Sequence, residues 1–382
     1  MRRTVLAVSG SRADYGLLLW PMRALAAAPD FTLRVAVTGQ HLDPAFGSTL
    51  DAFAADGLPV DERVPIPLDD DSEAGIARAV ARGIEGFAAI LAARRPDLVM
   101  VLGDRFEILA AAQAAFLARL PIAHWCGGDV TAGAQDEAFR HAISKMAHLH
   151  LATSDDAARR LARMGEDPSR IVVAGSPGLD TIRLRALPDR AAVERALGIA
   201  LRRRNLVVAF HPVTLEPGRS LAHQAEMLAA LDSLGSEIGI VATAPNADAE
   251  GRALRAALED WVAMRPHAAF AVSLGSPAFL ALVRLADAIV GNSSAGLYEA
   301  PALGTPTVNV GSRQEGRLRA ASVIDCPPRR AAIRAAIDRA LELDMTGIVS
   351  PYGDGHASER MLAALRAVPD FASLLMKRFH DG

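Results

Sequence analysis

VLGDRFEILAAAQAAFLARLPIAHWCGGDVTAGAQDEAFRHAISKMAHLHLAT, residues 101–153, is the stretch whose reading decides the fold. Short apolar runs over 98–102, 122–125 and 150–153 read as buried strands. Between them, residues 108–117 and 136–147 carry apolar positions at helical spacing. Strand, short link, helix and strand in repetition predict a parallel sheet covered on both faces. Asp104, Arg105, Glu107, His124, Cys126, Asp129, Asp136, Glu137, Arg140, His141, Lys145, His148 and His150 gather in this stretch, many where an apolar run gives way to a turn. Open α/β sheets place their chemistry beyond the carboxyl ends of their strands.

The same rhythm extends outward. On the N-terminal side, residues 4–8 read as a strand, 10–16 as a glycine-containing turn, 17–28 as a helix and 31–38 as a strand. A short extended piece at 61–67 and a long helix at 72–94 follow, with Pro96 closing the helix. Beyond residue 153, a helix at 155–164 and a strand at 171–174 complete a first series. A second begins near Leu206: strands at 206–210, 238–242, 269–272, 288–291 and 307–310 alternate with helices at 221–234, 248–264, 277–286, 297–303 and 329–343. A further helix is expected from 358. The boundary falls between Ser176 and Arg204, where Pro188-Asp189 and a charged helix at 191–197 intervene. This gives a first domain at 1–185, a second at 200–357 and a C-terminal segment at 358–382.

Bulk properties narrow the function. A chain of 382 residues exceeds one simple core and favours two domains. Hydrophobic residues make up 51% and aromatics 5%, so the cores are aliphatic. A net charge of −3 argues against a nucleic-acid binder. The only cysteines, Cys126 and Cys326, imply no disulfide framework and fit a reducing, cytoplasmic setting. No apolar run has the length of a membrane span, and the apolar run after Arg2-Arg3 is too short for a signal peptide.

Several motifs suit an anionic ligand. Gly10-Ser11-Arg12 combines turn N–H groups with a fixed cation, a pattern equally suited to a plain tight turn. Gly291-Asn292-Ser293-Ser294-Ala295-Gly296 offers small residues whose N–H and hydroxyl groups can cradle a diphosphate. Glu299 stands one turn on, placed to accept hydrogen bonds from a ribose diol. His211-Pro212 and the cationic run Gly311-Ser312-Arg313-Gln314 with Arg317 and Arg319 end two further strands. Neither a dinucleotide-binding glycine fingerprint nor a Walker A loop is present. In the central stretch Asp104, Asp129 and Asp136 are candidates for acid–base work, because clustered carboxylates raise one another's pKa. Arg140 and His141 lie one turn beyond Asp136. Asp136 is equally a candidate helix cap, and Glu107 a partner for Arg105. The spacing of His124, Asp129 and His141 fits no tight metal motif, so no metal is expected. Ser144, Lys145, His148 and His150 are assigned to packing and capping.

The runs SGSRADYGLL (9–18), GDRFEIL (103–109), IAHWCGGDVTAGAQDEAFRHAISKMAHLH (122–150), GSPGLD (175–180), HPVTLE (211–216) and GNSSAGLYEAPALGTPTVNVGSRQEGR (291–317) together resemble the hydrolysing UDP-N-acetylglucosamine 2-epimerases. These enzymes form ManNAc-type sugars for sialic and legionaminic acid synthesis. The resemblance spans residues 4–324. It implies a GT-B fold: two Rossmann-like, doubly wound parallel-sheet domains with a cleft between them, and a last helix over 358–379 that returns to the first domain. It implies catalytic roles for Asp104, Asp129 and Asp136, joined by Glu137, Arg140 and His141. It assigns the UDP-sugar to Arg12, Arg105, His211, Asn246, Ser293, Ser294, Gly296, Glu299 and Arg313. No cofactor is implied, and the family favours dimers and tetramers. The implied chemistry is elimination of UDP to a 2-acetamidoglycal, followed by rehydration to the free 2-epimer. One position departs: animal members carry glutamate where this chain has Cys126. That substitution leaves open Asp129 as the replacement acid, a different acid–base layout, or a sugar with a C4 acetamido group as in the legionaminic branch. The rival readings are a non-hydrolysing epimerase, a GT-B glycosyltransferase and a non-catalytic nucleotide-sugar binder.

Overall fold

The computed structural model describes residues 2–43, 49–70, 72–132, 135–213, 216, 218–245, 250–272 and 274–381. The chain forms two compact units: residues 1–130, 135–180 and 352–382 make the first, and residues 131–134 and 181–351 the second.

The first unit runs β1 (Arg3–Ser9), α1 (Arg12–Ala27), β2 (Phe31–Thr38), α2 (Leu50–Ala55), β3 (Glu62–Val64), α3 (Glu73–Ala93), β4 (Leu98–Leu102), α4 (Phe106–Leu117), β5 (Ile122–Trp125), α5 (Asp136–Met146), β6 (Leu149–Ala152), α6 (Asp155–Arg163) and β7 (Ile171–Val173). Helix α7 (Gly178–Leu184) leads into the second unit. There α8 (Arg190–Leu197), β8 (Arg204–Ala209), α9 (Ser220–Asp232), β9 (Ile238–Thr243), α10 (Gly251–Ala263), β10 (Ala268–Ala271), α11 (Ser276–Leu285), β11 (Ala288–Gly291), α12 (Ala295–Tyr298), β12 (Thr307–Val310), β13 (Val323–Cys326) and α13 (Arg330–Leu341) follow. Helix α14 (Ala357–Ala367) belongs to the first unit.

Both sheets are parallel. The first has the order β3-β2-β1-β4-β5-β6-β7 and the second β10-β9-β8-β11-β12-β13. In each, the order reverses once: between β1 and β4, and between β8 and β11. Such a reversal opens a crevice at the carboxyl ends of the two central strands. Gly10 and Asp104 stand at that point in the first unit, His211 and Asn292 in the second.

Central strands buried on both faces must be apolar throughout, and Leu98–Leu102 is buried at every position. Alternate residues then serve opposite faces. Val5 and Ala7 of β1 pack with α1 residues Leu18, Met22 and Leu25, while Leu6 and Val8 pack with Phe87, Leu91 and Ile108 from α3 and α4. The first of these clusters also takes Met361, Leu365 and Phe371 from the C-terminal segment. Buried Asp180 caps α14, accepting from the backbone N–H groups of Ala357 and Ser358 at 2.8 Å each. No helix among the described residues is long and apolar enough to cross a membrane.

Several expectations need correction. Helix α1 starts at Arg12, not near residue 17. Ser11 caps it, accepting from Asp14 N–H at 3.3 Å. Asp136 does not cap α5; it lies in the first turn, after Gln135. The helix expected over 297–303 is broken. Pro301 has no N–H to continue the ladder, so α12 stops at Tyr298 and a 3-10 turn covers Pro301–Leu303. Nor does one helix run from 358 to 379. Val368, forced toward extended geometry by Pro369, ends α14, and a 3-10 turn follows at Phe371–Leu375. Helices α2 and α7 and strand β13 were not anticipated; all are short, and β13 is only partly buried.

Gly291 ends β11 at φ +139°, and a Cβ there would lie 2.1 Å from the Ala209 carbonyl oxygen. Gly304 has φ +77° but open space around it. Gly291→Ala should therefore cost roughly 3 kcal/mol or more, against about 1 kcal/mol for Gly304→Ala. Urea unfolding measures both, and equal losses would contradict the close approach of β8 and β11.

Candidate active site

In the first unit the link after β4 and the start of α5 meet on one guanidinium. Arg140 is buried, and its Nη2 pairs with an Asp104 carboxylate oxygen. Its Nη1 donates to Glu137 Oε2 at 2.9 Å and to the Asp129 carbonyl at 2.9 Å. Glu137 also faces His141 Nε2 through its other oxygen, at 3.1 Å. The buried Asp129 carboxylate accepts from Thr153 Oγ1 at 2.5 Å. A buried cation needs paired anions and carbonyls, and here they come from the ends of β4 and β5 and the first turn of α5.

Asp136 sits beside this cluster. Burial pushes its carboxyl up to about 6, Asp104 adds to the rise, and Arg105 and Arg140 oppose it. A carboxyl in that range can both take and return a proton near neutral pH. Arg105 donates to Glu107 Oε1 at 2.6 Å, and Glu107 is buried.

A second acid with a raised pKa was missed in the sequence. Asp14 accepts from the Gly10 N–H at 3.1 Å while its own N–H reaches Ser11. Burial, then the negative charge of Glu107, pushes Asp14 up to about 7. The signal was present as Ser11-x-x-Asp14, the spacing of a reciprocal helix cap. The Gly10 N–H proposed for an anion is thus already engaged, and Arg12 is exposed on the first turn of α1.

His124 is locked. Its Nε2 donates to the Gly103 carbonyl at 2.8 Å and its Nδ1 faces Ser144 Oγ at 3.2 Å. Burial pushes its pKa down to about 3, so the ring is neutral. Cys126 holds φ +64° with a side chain, a conformation costing about 1–3 kcal/mol. Strain of this kind persists where surrounding contacts fix the chain, here the Cys126 N–H to Leu151 carbonyl bond at 3.2 Å.

The second unit has its own constellation. The Asn292 side chain clasps His211, accepting from its N–H at 2.7 Å and donating to its carbonyl at 2.9 Å. Arg313 donates to the carbonyls of Pro212 and Asn292, each at 3.2 Å, and Gln314 to that of Asn292 at 2.8 Å. Burial pushes His211 down to about 3, assisted by Arg313. Burial pushes Glu299 up to about 7, against the pull of Arg317. Ser293 and Ser294 are half-buried at the turn into α12, whose four residues add little aligned dipole. Gly296 has a packing role: a Cβ there would lie 2.6 Å from Thr307 Cγ2, and Thr307 donates to the Gly296 carbonyl at 2.6 Å. Asn246 lies outside the described residues. Among the described residues, no group of three or more His, Cys, Asp or Glu could hold a metal ion.

Two Rossmann-type sheets, each with charged and hydroxyl side chains at its switch point, define an α/β protein of the GT-B class. Residues 23–366 match the UDP-N-acetylglucosamine 2-epimerase family. A Legionella pneumophila protein named UDP-N,N'-diacetylbacillosamine 2-epimerase (hydrolyzing) is 33% identical over 99% of both chains. A Campylobacter jejuni GDP/UDP-N,N'-diacetylbacillosamine 2-epimerase (hydrolyzing) is 32% identical over 85% of this chain and 84% of its own. Among solved structures, the UDP-GlcNAc 2-epimerase of Neisseria meningitidis bound to UDP-GlcNAc superposes with TM-score 0.81 at 19% identity, covering 96% of this chain and all of that one. The chain belongs to the UDP-N-acetylglucosamine 2-epimerase family.

The raised Asp136 pKa has a sign. The folded state holds this proton more tightly than the unfolded chain, whose carboxyl titrates near 3.8. The resulting stability is fully present below that value and is lost as pH rises through about 6. Asp136→Asn should therefore raise the melting temperature relative to wild type at pH 8 and much less at pH 4. A difference independent of pH would contradict the shift.

Proposed function

We propose that this chain is a hydrolysing UDP-sugar 2-epimerase, releasing UDP and a free 2-epimeric 2-acetamido sugar. The observation that carries the reading is Asp136, a carboxyl poised near 6 beside Asp104, Arg105 and Arg140. The C2 proton is weakly acidic, so its removal needs C1–O cleavage to run ahead. That builds oxocarbenium character on the ring, which the Asp104 carboxylate is suited to stabilise. Asp136 takes the C2 proton, the C1–O electron pair leaves with UDP, and a 2-acetamidoglycal forms. An acid of the set then gives a proton to C2 on the opposite face, water adds its oxygen to C1, the proton water loses restores that acid, and Asp136 returns its own proton to solvent. Asp129, Glu137 and His141 support this set, with Arg140 holding Asp104 and Glu137 in place.

The UDP roles of Ser293, Ser294, Gly296, Glu299, His211, Arg313, Arg12, Arg105 and Asn246 belong to the same proposal. Arg313 and the serine turn suit phosphates, and Glu299 suits a ribose diol. A homo-oligomeric state and a cytoplasmic location belong to it as well, as does a place in sialic- or legionaminic-type acid synthesis.

For the sugar we favour UDP-N,N'-diacetylbacillosamine over UDP-N-acetylglucosamine. Cys126 is smaller than the glutamate of animal members and leaves room for a C4 acetamido group, and two relatives carry that substrate in their names. Release of UDP from each sugar tests this. The diacetamido sugar should give a kcat/KM at least about tenfold higher, an increment of the size one added group in a fitted pocket supplies. Faster turnover of UDP-N-acetylglucosamine would overturn the choice. Incubation without an acceptor separates the rivals: UDP-ManNAc would mark a non-hydrolysing epimerase, an unchanged substrate a transferase or a binder.

With Asp136 as base, kcat/KM should rise with pH to a plateau above about 6. Asp136→Asn should remove that limb and lower kcat by about 100-fold or more while UDP still binds. Wild-type turnover in the variant would remove Asp136 from the mechanism.

A further inference from the structure

Helix α5 carries Asp136, Glu137, Arg140 and His141, and its far end is gripped by the C-terminal segment of the same unit. Lys377 Nζ donates to the carbonyls of Lys145 and Ala147, at 2.7 Å each, and lies 3.4 Å from that of Ser144. They belong to the last turn of α5, where helix carbonyls run short of backbone partners, although that of Ser144 also takes the Ala147 N–H at 3.2 Å, and a cation there complements the helix dipole. The same ammonium pairs with Glu166 Oε2 at 2.6 Å. Glu166 is only 1% exposed and also takes Lys145 Nζ at 2.6 Å and His150 Nε2 at 2.9 Å. Burial would raise its pKa, but these three hydrogen bonds prevail and hold it near 2. The anchor is therefore ionised throughout the neutral range.

The segment around Lys377 is fastened independently of it. Arg170 donates to the carbonyls of Leu374 at 2.8 Å and Met376 at 2.9 Å, and His380 N–H donates to that of Gly165 at 3.0 Å. The Phe379 ring lies against Gly165 so closely that a Cβ there would come within 2.2 Å of it. Lys377 is thus held as a fixed strut and not as a loose surface lysine. From the end of α5 a short path leads back to the catalytic cluster. Ser144 Oγ lies 3.0 Å from the Arg140 carbonyl and 3.2 Å from His124 Nδ1. His124 in turn donates to Gly103, the residue before Asp104.

We propose that Lys377 is a positioning residue: clamped between Glu166 and the α5 carbonyls, it fixes the placement of α5 and so of Arg140 and Asp136 relative to Asp104. The proposal rests on the catalytic reading of that cluster. The expected consequence is a loss in the chemical step, with substrate binding spared, since the partners that Lys377 grips, Glu166 and the α5 carbonyls, are not groups assigned to UDP.

Lys377→Met, Lys377→Arg and Phe379→Ala test it in the full-length protein. Lys377→Met should lower kcat about tenfold with KM within about twofold, and Lys377→Arg should recover most of the loss. Amide hydrogen exchange at residues 144–147 should accelerate in Lys377→Met. Phe379→Ala, which removes one fastening of the segment while Arg170 and the His380 N–H keep theirs, should keep kcat within about threefold of wild type. Wild-type kcat in Lys377→Met, with or without faster exchange, would overturn the proposal and leave Lys377 a stabilising contact only. Should the wild-type protein turn over neither UDP-sugar, the functional reading fails, and the strut is judged by carbon-13 titration of Asp136. Its midpoint should move by at least about 0.3 units in Lys377→Met, and an unmoved midpoint would overturn the positioning role.

Discussion

The first unit depends on the burial of one guanidinium. A cation taken out of water is tolerated only where anions and carbonyl oxygens surround it. Arg140 meets that demand with Asp104, Glu137 and the Asp129 carbonyl. These partners follow β4, open α5 and follow β5, so satisfying one charge fixes three chain segments at the carboxyl end of the sheet. In the proposed chemistry the same arrangement commits Asp104 to Arg140 and leaves Asp136, half-buried beside that negative charge, to exchange the proton.

The second unit joins its switch point through a side-chain amide. His211 stays neutral, and the Asn292 amide clasps its backbone on both sides. The ends of β8 and β11 are thereby joined, with Gly291 allowing the strands to approach. Arg313 is oriented by two carbonyls. A cation so held is suited to phosphate oxygens.

Much of the fold was legible because parallel strands announce themselves as uninterrupted apolar runs. β4, β5, β11 and β12 fall where those runs fall. Asp104 and Asp129 drew notice for a linked reason, since they follow such runs, and Arg140 because it lies one turn beyond Asp136 on α5. Other features were not, because they depend on groups distant in sequence. Asp14 is raised by its burial in the fold and by the negative charge of Glu107, and the Glu166 anchor is completed by Lys377. Local chemistry was misjudged as well, at Pro369, which ends α14, and at two other points. Pro301 breaks the helix after Tyr298, and Ser11 starts α1 a full turn earlier than apolar periodicity suggests. Cys126 stood out in the sequence as a departure; its left-handed backbone could be known only from the structure.

The central claim is that proton exchange at C2 accompanies loss of UDP at C1. Proton NMR of the purified protein in D2O with UDP-N,N'-diacetylbacillosamine and, separately, UDP-N-acetylglucosamine tests it most directly. The account predicts free UDP and a free 2-epimeric sugar with deuterium at C2. Release of a sugar that retains its C2 proton, or of one with unchanged C2 configuration, would contradict it.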